Sequence, residues 1–187
     1  MLARVLSCGV MGIDGYQLGV EVDAYPGLVR FYLVGLPDAA VKESRERVGS
    51  AIKNSGFRFP HGTIVANLAP ADVRKEGSAL DLPIAVGLLG ATDQIRGQRF
   101  TEYALVGELA LDGAVRPVSG ALSMALAARD SKLKGILVPA ANAEEAGVAK
   151  GVDVIPVSTL NEAAAFMSGH RDIAPHVTDL SSVYDRA

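Results

Sequence analysis

Cysteine occurs once in the 187 residues, at Cys8, tryptophan not at all, and aromatic side chains make up only 5%. One thiol cannot close an internal disulfide, and a chain of this length buries roughly 70% of its unfolded surface without such a staple. The three histidines, His61, His170 and His176, are scattered, matching neither a Cys/His metal spacing nor a Ser-His-Asp triad. The dipeptide Gly-Lys is missing, so there is no G-x-x-x-x-G-K-[ST] phosphate loop. Gly9, Gly12 and Gly15 have the wrong spacing for a dinucleotide fingerprint and read as turn glycines. The longest near-apolar run, Leu82 to Ala91, is about half the ~20 residues that a membrane-spanning helix needs. These absences lead us to expect a cytoplasmic chain that has no membrane partner and no cofactor or metal of its own.

What is present is a soluble-domain composition, with 49% hydrophobic residues, rich in alanine and glycine. That excludes a disordered chain and predicts an aliphatic core with close backbone approaches. The formal charge is only -3, from 18 Lys and Arg against 21 Asp and Glu, which excludes a histone-like basic binder. The charge is uneven, however. Between residues 41 and 75 lie Lys42, Arg45, Arg47, Lys53, Arg58, Arg74 and Lys75 against Glu43, Glu46 and Asp72, an excess of four positive charges. Two readings fit this segment: a solvated helix face with a loop, or a contact with nucleic acid or an acidic partner.

The first 35 residues read as three strands, Ala3 to Val10, Gln17 to Asp23 and Val29 to Val34, whose short turns favour an antiparallel meander. Asp38 is a good N-cap for an amphipathic helix whose apolar stripe is Val41, Ser44, Val48, Ala51 and Ile52. Thr63 to Leu68 reads as a strand. The helix that follows reaches Ala91, carries Asp81 as its one charge and must be buried nearly all round. Its start is open between Ser78 and Asp81, because Pro83 suits a first turn better than an interior. A strand over Tyr103–Leu111 turns at Asp112-Gly113 into a return strand over Ala114–Pro117. Beyond it come helices over Ala121–Ala128, Ala141–Ala149 and Thr159–Met167, and strands over Gly135–Val138 and Val152–Ile155. The pattern is an α+β (mixed-sheet α/β) domain over residues 1–168, with residues 169–187 as a linker.

The segment Lys75-Glu76-Gly77-Ser78-Ala79-Leu80-Asp81-Leu82-Pro83 is the most unusual in the chain. A Gly-Ser turn opening a buried helix presents a hydroxyl and N–H groups at a positive helix end, which suits either an anion site or a plain cap. A serine nucleophile also needs a base, and Lys75, on a charged loop, is expected to be solvated and protonated. Asp72 and Glu76, beside Arg74 and Lys75, read as a surface salt-bridge patch.

Three blocks together resemble the ComM/YifB family of bacterial competence proteins, also described as Mg-chelatase-like (ChlI-like). They are Val34-Gly35-Leu36-Pro37-Asp38 through Val48, Asn67 through Asp72 with Lys75 through Ala85 (including Gly77, Ser78 and Asp81), and Gly107 through Gly113 with Arg116-Pro117-Val118 and Gly120-Ala121-Leu122. The resemblance implies the N-terminal domain of a longer protein, an engineered piece or a natural truncation. Its linker would enter an AAA+ ATPase module near Asp179 to Val183. The full-length family members look like hexameric ATP-dependent motors that promote DNA branch migration in natural transformation and recombination. ATP and Mg are then expected only in the absent motor module.

The family's N-terminal domain is similar in fold to the Lon protease domain, the ribosomal protein S5 domain 2-like superfold. Carrying the Lon Ser-Lys dyad across places the nucleophile on Ala79 and the lysine on Leu122, so the resemblance implies no peptidase. The favoured expectation is a non-catalytic accessory domain of a DNA motor. It would contact its own AAA+ module, neighbouring subunits and possibly single-stranded or branched DNA through Lys42, Arg45, Arg47, Lys53, Arg58, Arg74 and Lys75. The alternatives are a protein-interaction module of a chelatase-like complex without DNA, and a hydrolase using Ser78.

Overall fold

The computed structural model describes residues 1–181. Strands β1 (Leu2–Met11) and β2 (Asp14–Tyr25) form a long antiparallel hairpin, with Leu2 opposite Asp23 and Met11 opposite Asp14. The expected meander stops there. β3 (Arg30–Val34) does not pair with β2, because β4 (Thr63–Ala69) inserts between them, antiparallel to β2 and parallel to β3. The reason lies in the side chains. Ile64, Ala66 and Leu68 are fully buried and suit a central strand, whereas β3 exposes Arg30, Tyr32 and Val34 and tolerates an edge.

Between β3 and β4 run α1 (Ala39–Lys42) and α2 (Ser44–Asn54), one predicted helix interrupted at Glu43. Val41, Ser44, Val48, Ala51 and Ile52 are all buried, so the periodic stripe faces the core as expected. Helix α3 (Asp81–Ala91) is buried at every one of its 11 residues. It starts at Asp81, which puts Pro83 in the first turn, where no intrahelical N–H is missed. Ser78 is not its cap. Instead the Ser78 carbonyl accepts the Asp81 N–H at 3.2 Å in the turn before the helix.

The single strand expected over Tyr103–Leu111 splits in two. β5 (Tyr103–Leu105) joins the main sheet beside β1, while β6 (Glu108–Leu109) pairs with β7 (Val115–Arg116) in a separate ribbon. The break falls where Gly107 donates to the Ala79 carbonyl at 2.9 Å and accepts from Leu82 at 3.0 Å, spending its backbone on α3. After α4 (Ala121–Asp130) comes β8 (Gly135–Pro139). The helix expected over Ala141–Ala149 is reduced to a 3-10 turn at Ala140–Asn142 and a single turn, α5 (Ala143–Ala146). β9 (Asp153–Val157) and α6 (Leu160–Met167), capped by the Thr159 hydroxyl, complete the body. The seven-stranded sheet runs β3-β4-β2-β1-β5-β8-β9. Its core with α2, α3 and α6 fills one face, and α4 and α5 cover part of the other.

Residues 170–178 fold back onto the body. His176 donates its N–H to Val154 in β9 at 2.8 Å, and the Thr178 hydroxyl donates to the Glu144 carbonyl at 2.7 Å. Residues 182–187 of the expected linker lie outside the described residues. Among the described residues no helix is long and apolar enough to cross a membrane.

Helix α3 approaches the sheet closely at Gly87, where an added Cβ would lie 2.8 Å from Cγ2 of Val22. Val22 is fully buried and β-branched, so it has little room to yield. In an exposed helix Gly→Ala stabilises by about 1 kcal/mol. Here Gly87→Ala is expected to destabilise by about 1–3 kcal/mol, read from the urea midpoint at constant slope.

Candidate functional site

Asp81 opens α3 and is completely inaccessible, so its carboxylate has to be satisfied inside the protein. Four donors do so. The Ser44 hydroxyl and Arg47 Nη2 (3.1 Å) reach Oδ1, while Arg47 Nε (2.6 Å) and the Leu109 N–H (3.0 Å) reach Oδ2. The guanidinium fork is therefore bidentate, the geometry for which arginine is suited and lysine is not. Arg47 also donates to the Ala40 carbonyl at 3.1 Å and to Glu43 at 3.3 Å. Its hydrogen bonds to Asp81 raise its pKa further, against an opposing contribution from burial. Predicted as a DNA or partner contact, Arg47 instead belongs to this internal pair. Its position three residues after Ser44 turns its head group inward at the border of the buried stripe.

Lys75 is the larger correction. Expected on a solvated loop, it is 1% exposed. Its ammonium donates to the Gly35 carbonyl at 2.7 Å and to the Pro70 carbonyl. Its backbone bridges the same loop, receiving from Asp38 at 2.9 Å and donating to Leu36 at 3.0 Å. Burial lowers the pKa of the amine, partly offset by the charge of Asp72. Asp38 is the N-cap foreseen from the sequence. One carboxylate oxygen accepts the Val41 N–H at 2.7 Å and the other the Gly77 N–H at 3.3 Å. Two of the sequence blocks, around 35–38 and 70–77, are thus stitched together by Lys75 and Asp38. Gly35 permits the contact, because any Cβ there would lie 2.1 Å from the Leu68 carbonyl oxygen.

These loops wall a cleft of about 540 Å³ that also touches Cys8, Gly9 and Val10 of β1, Tyr16 of β2, and the segment Pro117–Ser119 before α4. Ser78 and Ala79 line it half-buried, and Glu76, Asp38 and Glu108 bring carboxylates. Lys75 is the only lysine on its wall, no histidine lines it among the described residues, and Leu122 packs into the second core below α4. Cys8 lies on the floor, 1% exposed, its thiol pushed up to about 12 by burial. Such a thiol is inert as a nucleophile. Burial and the nearby Glu76 also raise the Tyr16 phenol.

The remaining basic candidates do not form one patch. Lys42, Arg45 and Lys53 are exposed on α1 and α2, with Lys53 5.5 Å from the centre of the Phe59 ring. Arg58 lies where the 55–62 loop bonds Gln94, beyond the C-terminal end of α3. Arg74, beside Glu76 at 3.9 Å, lies before its N-terminal end, near Val10 to Gly12. With 11 residues, α3 separates the two by roughly 16 Å.

A family model described as subunit ChlI of Mg-chelatase matches residues 20–142. The chain is 43% identical over 182 residues to the protein YifB of Escherichia coli, an alignment covering 97% of the chain and 36% of YifB. It is 38% identical over 179 residues to the competence protein ComM of Haemophilus influenzae, covering 96% of the chain and 35% of ComM. A Lon protease of Lachnoclostridium phytofermentans is 28% identical over 170 residues, 83% of the chain and 21% of that protease. The chain therefore spans about a third of the length of YifB and ComM. The mixed-sheet, Lon-like fold expected from the sequence is the fold found.

Removing the carboxylate in Asp81→Ala takes away the bidentate partner of the half-buried Arg47 guanidinium and leaves the buried Leu109 N–H and Ser44 hydroxyl without their acceptor. The expected loss is about 3–5 kcal/mol by urea unfolding. Glu43→Ala removes only an exposed partner of Arg47 and is expected to cost under about 0.5 kcal/mol. Cys8 is expected to react with Ellman's reagent at pH 8 only as fast as the domain opens, and at once in denaturant.

Proposed function

The chain belongs to the family of the Mg-chelatase subunit ChlI, with YifB and ComM among its relatives, and from that footing we propose that it is a non-catalytic accessory domain of an ATP-dependent DNA-processing motor. The observation that carries this reading is the likeness to ComM, a competence protein by name, along 96% of the chain. In natural transformation the motor would move branched DNA during recombination. ATP and Mg would be bound by an AAA+ module outside these 187 residues, in a hexamer, in the cytoplasm. The domain's part is to contact that module, its neighbours or the DNA.

The cleft holds no complete catalytic dyad in this reading. Ala79 and Leu122 stand where the resemblance to Lon proteases puts nucleophile and lysine, and neither side chain can attack or accept a proton. Ser78, one residue earlier, shares the cleft with Lys75, whose amine is held by the Gly35 and Pro70 carbonyls. The DNA part of the reading rests on Lys42, Arg45 and Lys53. A second reading, an interaction module that touches no nucleic acid, is favoured by the withdrawal of Arg47 and Lys75 from the surface.

In the full-length protein, Lys42→Glu, Arg45→Glu and Lys53→Glu together are expected to weaken binding to single-stranded and forked DNA. They should also flatten the log affinity against log salt plot by about 2–3, roughly one for each phosphate no longer neutralised. Arg47 is left intact so that the fold survives. Unchanged affinity and slope would remove DNA from the reading and leave the interaction module.

A further inference from the structure

We propose that the cleft beside β1 receives an extended basic segment of a partner protein as an added β-strand. The first observation is an unfinished strand. β1 pairs with β2 along its whole length, from Leu2 to Met11, but with β5 only at Leu6 opposite Ala104. β5 ends at Leu105, and the chain turns away to spend the Gly107 backbone on Ala79 and Leu82. From Cys8 to Met11, β1 thus has a strand on one side only. Along such a stretch alternate residues turn their N–H and C=O groups outward, and these are the groups that another extended backbone pairs with.

The second observation is that Cys8 to Val10 of this bare stretch line the cleft instead of facing open solvent. The cavity of about 540 Å³ touches apolar Cys8 and Met124 on the α4 side of the sheet and Leu18 on the α3 side, which gives alternate side chains of an added strand somewhere to go. Its charge is the third observation. Asp38, Glu76 and Glu108 line it against a single lysine, Lys75; Asp38 already accepts from the Val41 and Gly77 N–H groups and Glu76 lies 3.9 Å from Arg74, but the lining keeps a net negative charge. A net negative lining beside an open strand edge favours a lysine- or arginine-bearing peptide over a phosphate backbone. At the far end of the sheet the 170–178 segment makes one backbone bond of this kind to β9, from the His176 N–H to Val154. The basic segment of this chain itself is folded into α1, α2 and the loops around them, so it is not the occupant. The inference is independent of whether the domain touches DNA.

The test uses the 187-residue chain, 15N-labelled, titrated with acetyl-Val-Lys-Val-Val-amide. Three comparison titrations use the same peptide with Glu for Lys, the same peptide N-methylated at alternate residues, and the Glu76→Gln chain. The proposal expects saturable shifts of the amides of residues 8–11 and 76–80. It also expects about tenfold weaker binding in each of the three comparisons. No saturable shift at millimolar peptide would overturn it, as would equal binding of the N-methylated or the acidic peptide. Shifts of the same amides on raising the chain concentration alone would assign the edge to a second copy and also overturn it.

Discussion

A carboxylate sealed inside a hydrophobic helix organises this domain. Helix α3 lies in the core on every side, and the only charge it carries, Asp81, sits at its first residue. A buried charge of that kind is destabilising unless its oxygens are filled, and the positive end of α3 supplies only part of the compensation. The rest comes from Ser44 and Arg47 on α2 and from the Leu109 N–H on β6. The pair therefore sets how α2 crosses α3 and where the β6–β7 ribbon docks. Whether it adds net stability over an apolar replacement is secondary to the register it imposes.

The cleft is a consequence of the same arrangement. Once Leu109 is pulled to Asp81 and Gly107 to Ala79 and Leu82, the chain after β5 cannot continue beside β1. A gap opens at the end of β1, bordered by the loop that Lys75 holds to Gly35 and Pro70. Its chemistry is that of a polar, carboxylate-rimmed slot with an inert thiol on the floor. The family blocks around Gly35–Asp38 and Lys75–Asp81 meet at the wall of this slot, which gives their unusual composition a structural reason.

Most helices and strands were legible because each buries a face, and burial at a fixed period leaves its trace in the order of residues. The stripe of Val41, Ser44, Val48, Ala51 and Ile52 is buried in full, and the all-round apolar character of α3 announced its central place. Charged residues gave no such trace. Arg47 and Lys75 look like any other surface cation in sequence, since an Arg or Lys is buried only when distant atoms arrive to pair with it. Those atoms were 34 residues away for Arg47 and 40 for the Gly35 carbonyl that holds Lys75. The same nonlocality hid the pairing of β3, since the strand that separates it from β2 begins only at Thr63.

From the order of residues alone came the fold class, the burial of α3, the capping role of Asp38 and the family. Each follows from periodicity, from local hydrogen-bond chemistry or from long sequence blocks. Only the tertiary structure decided that β4 enters between β2 and β3, that Arg47 and Lys75 are internal fasteners, and that β1 is left with a bare edge inside a cleft. All three depend on contacts between residues far apart in the chain. Hydrophobic period fixes which way a side chain faces, but which strand or carboxylate it meets there is settled only when the layers pack.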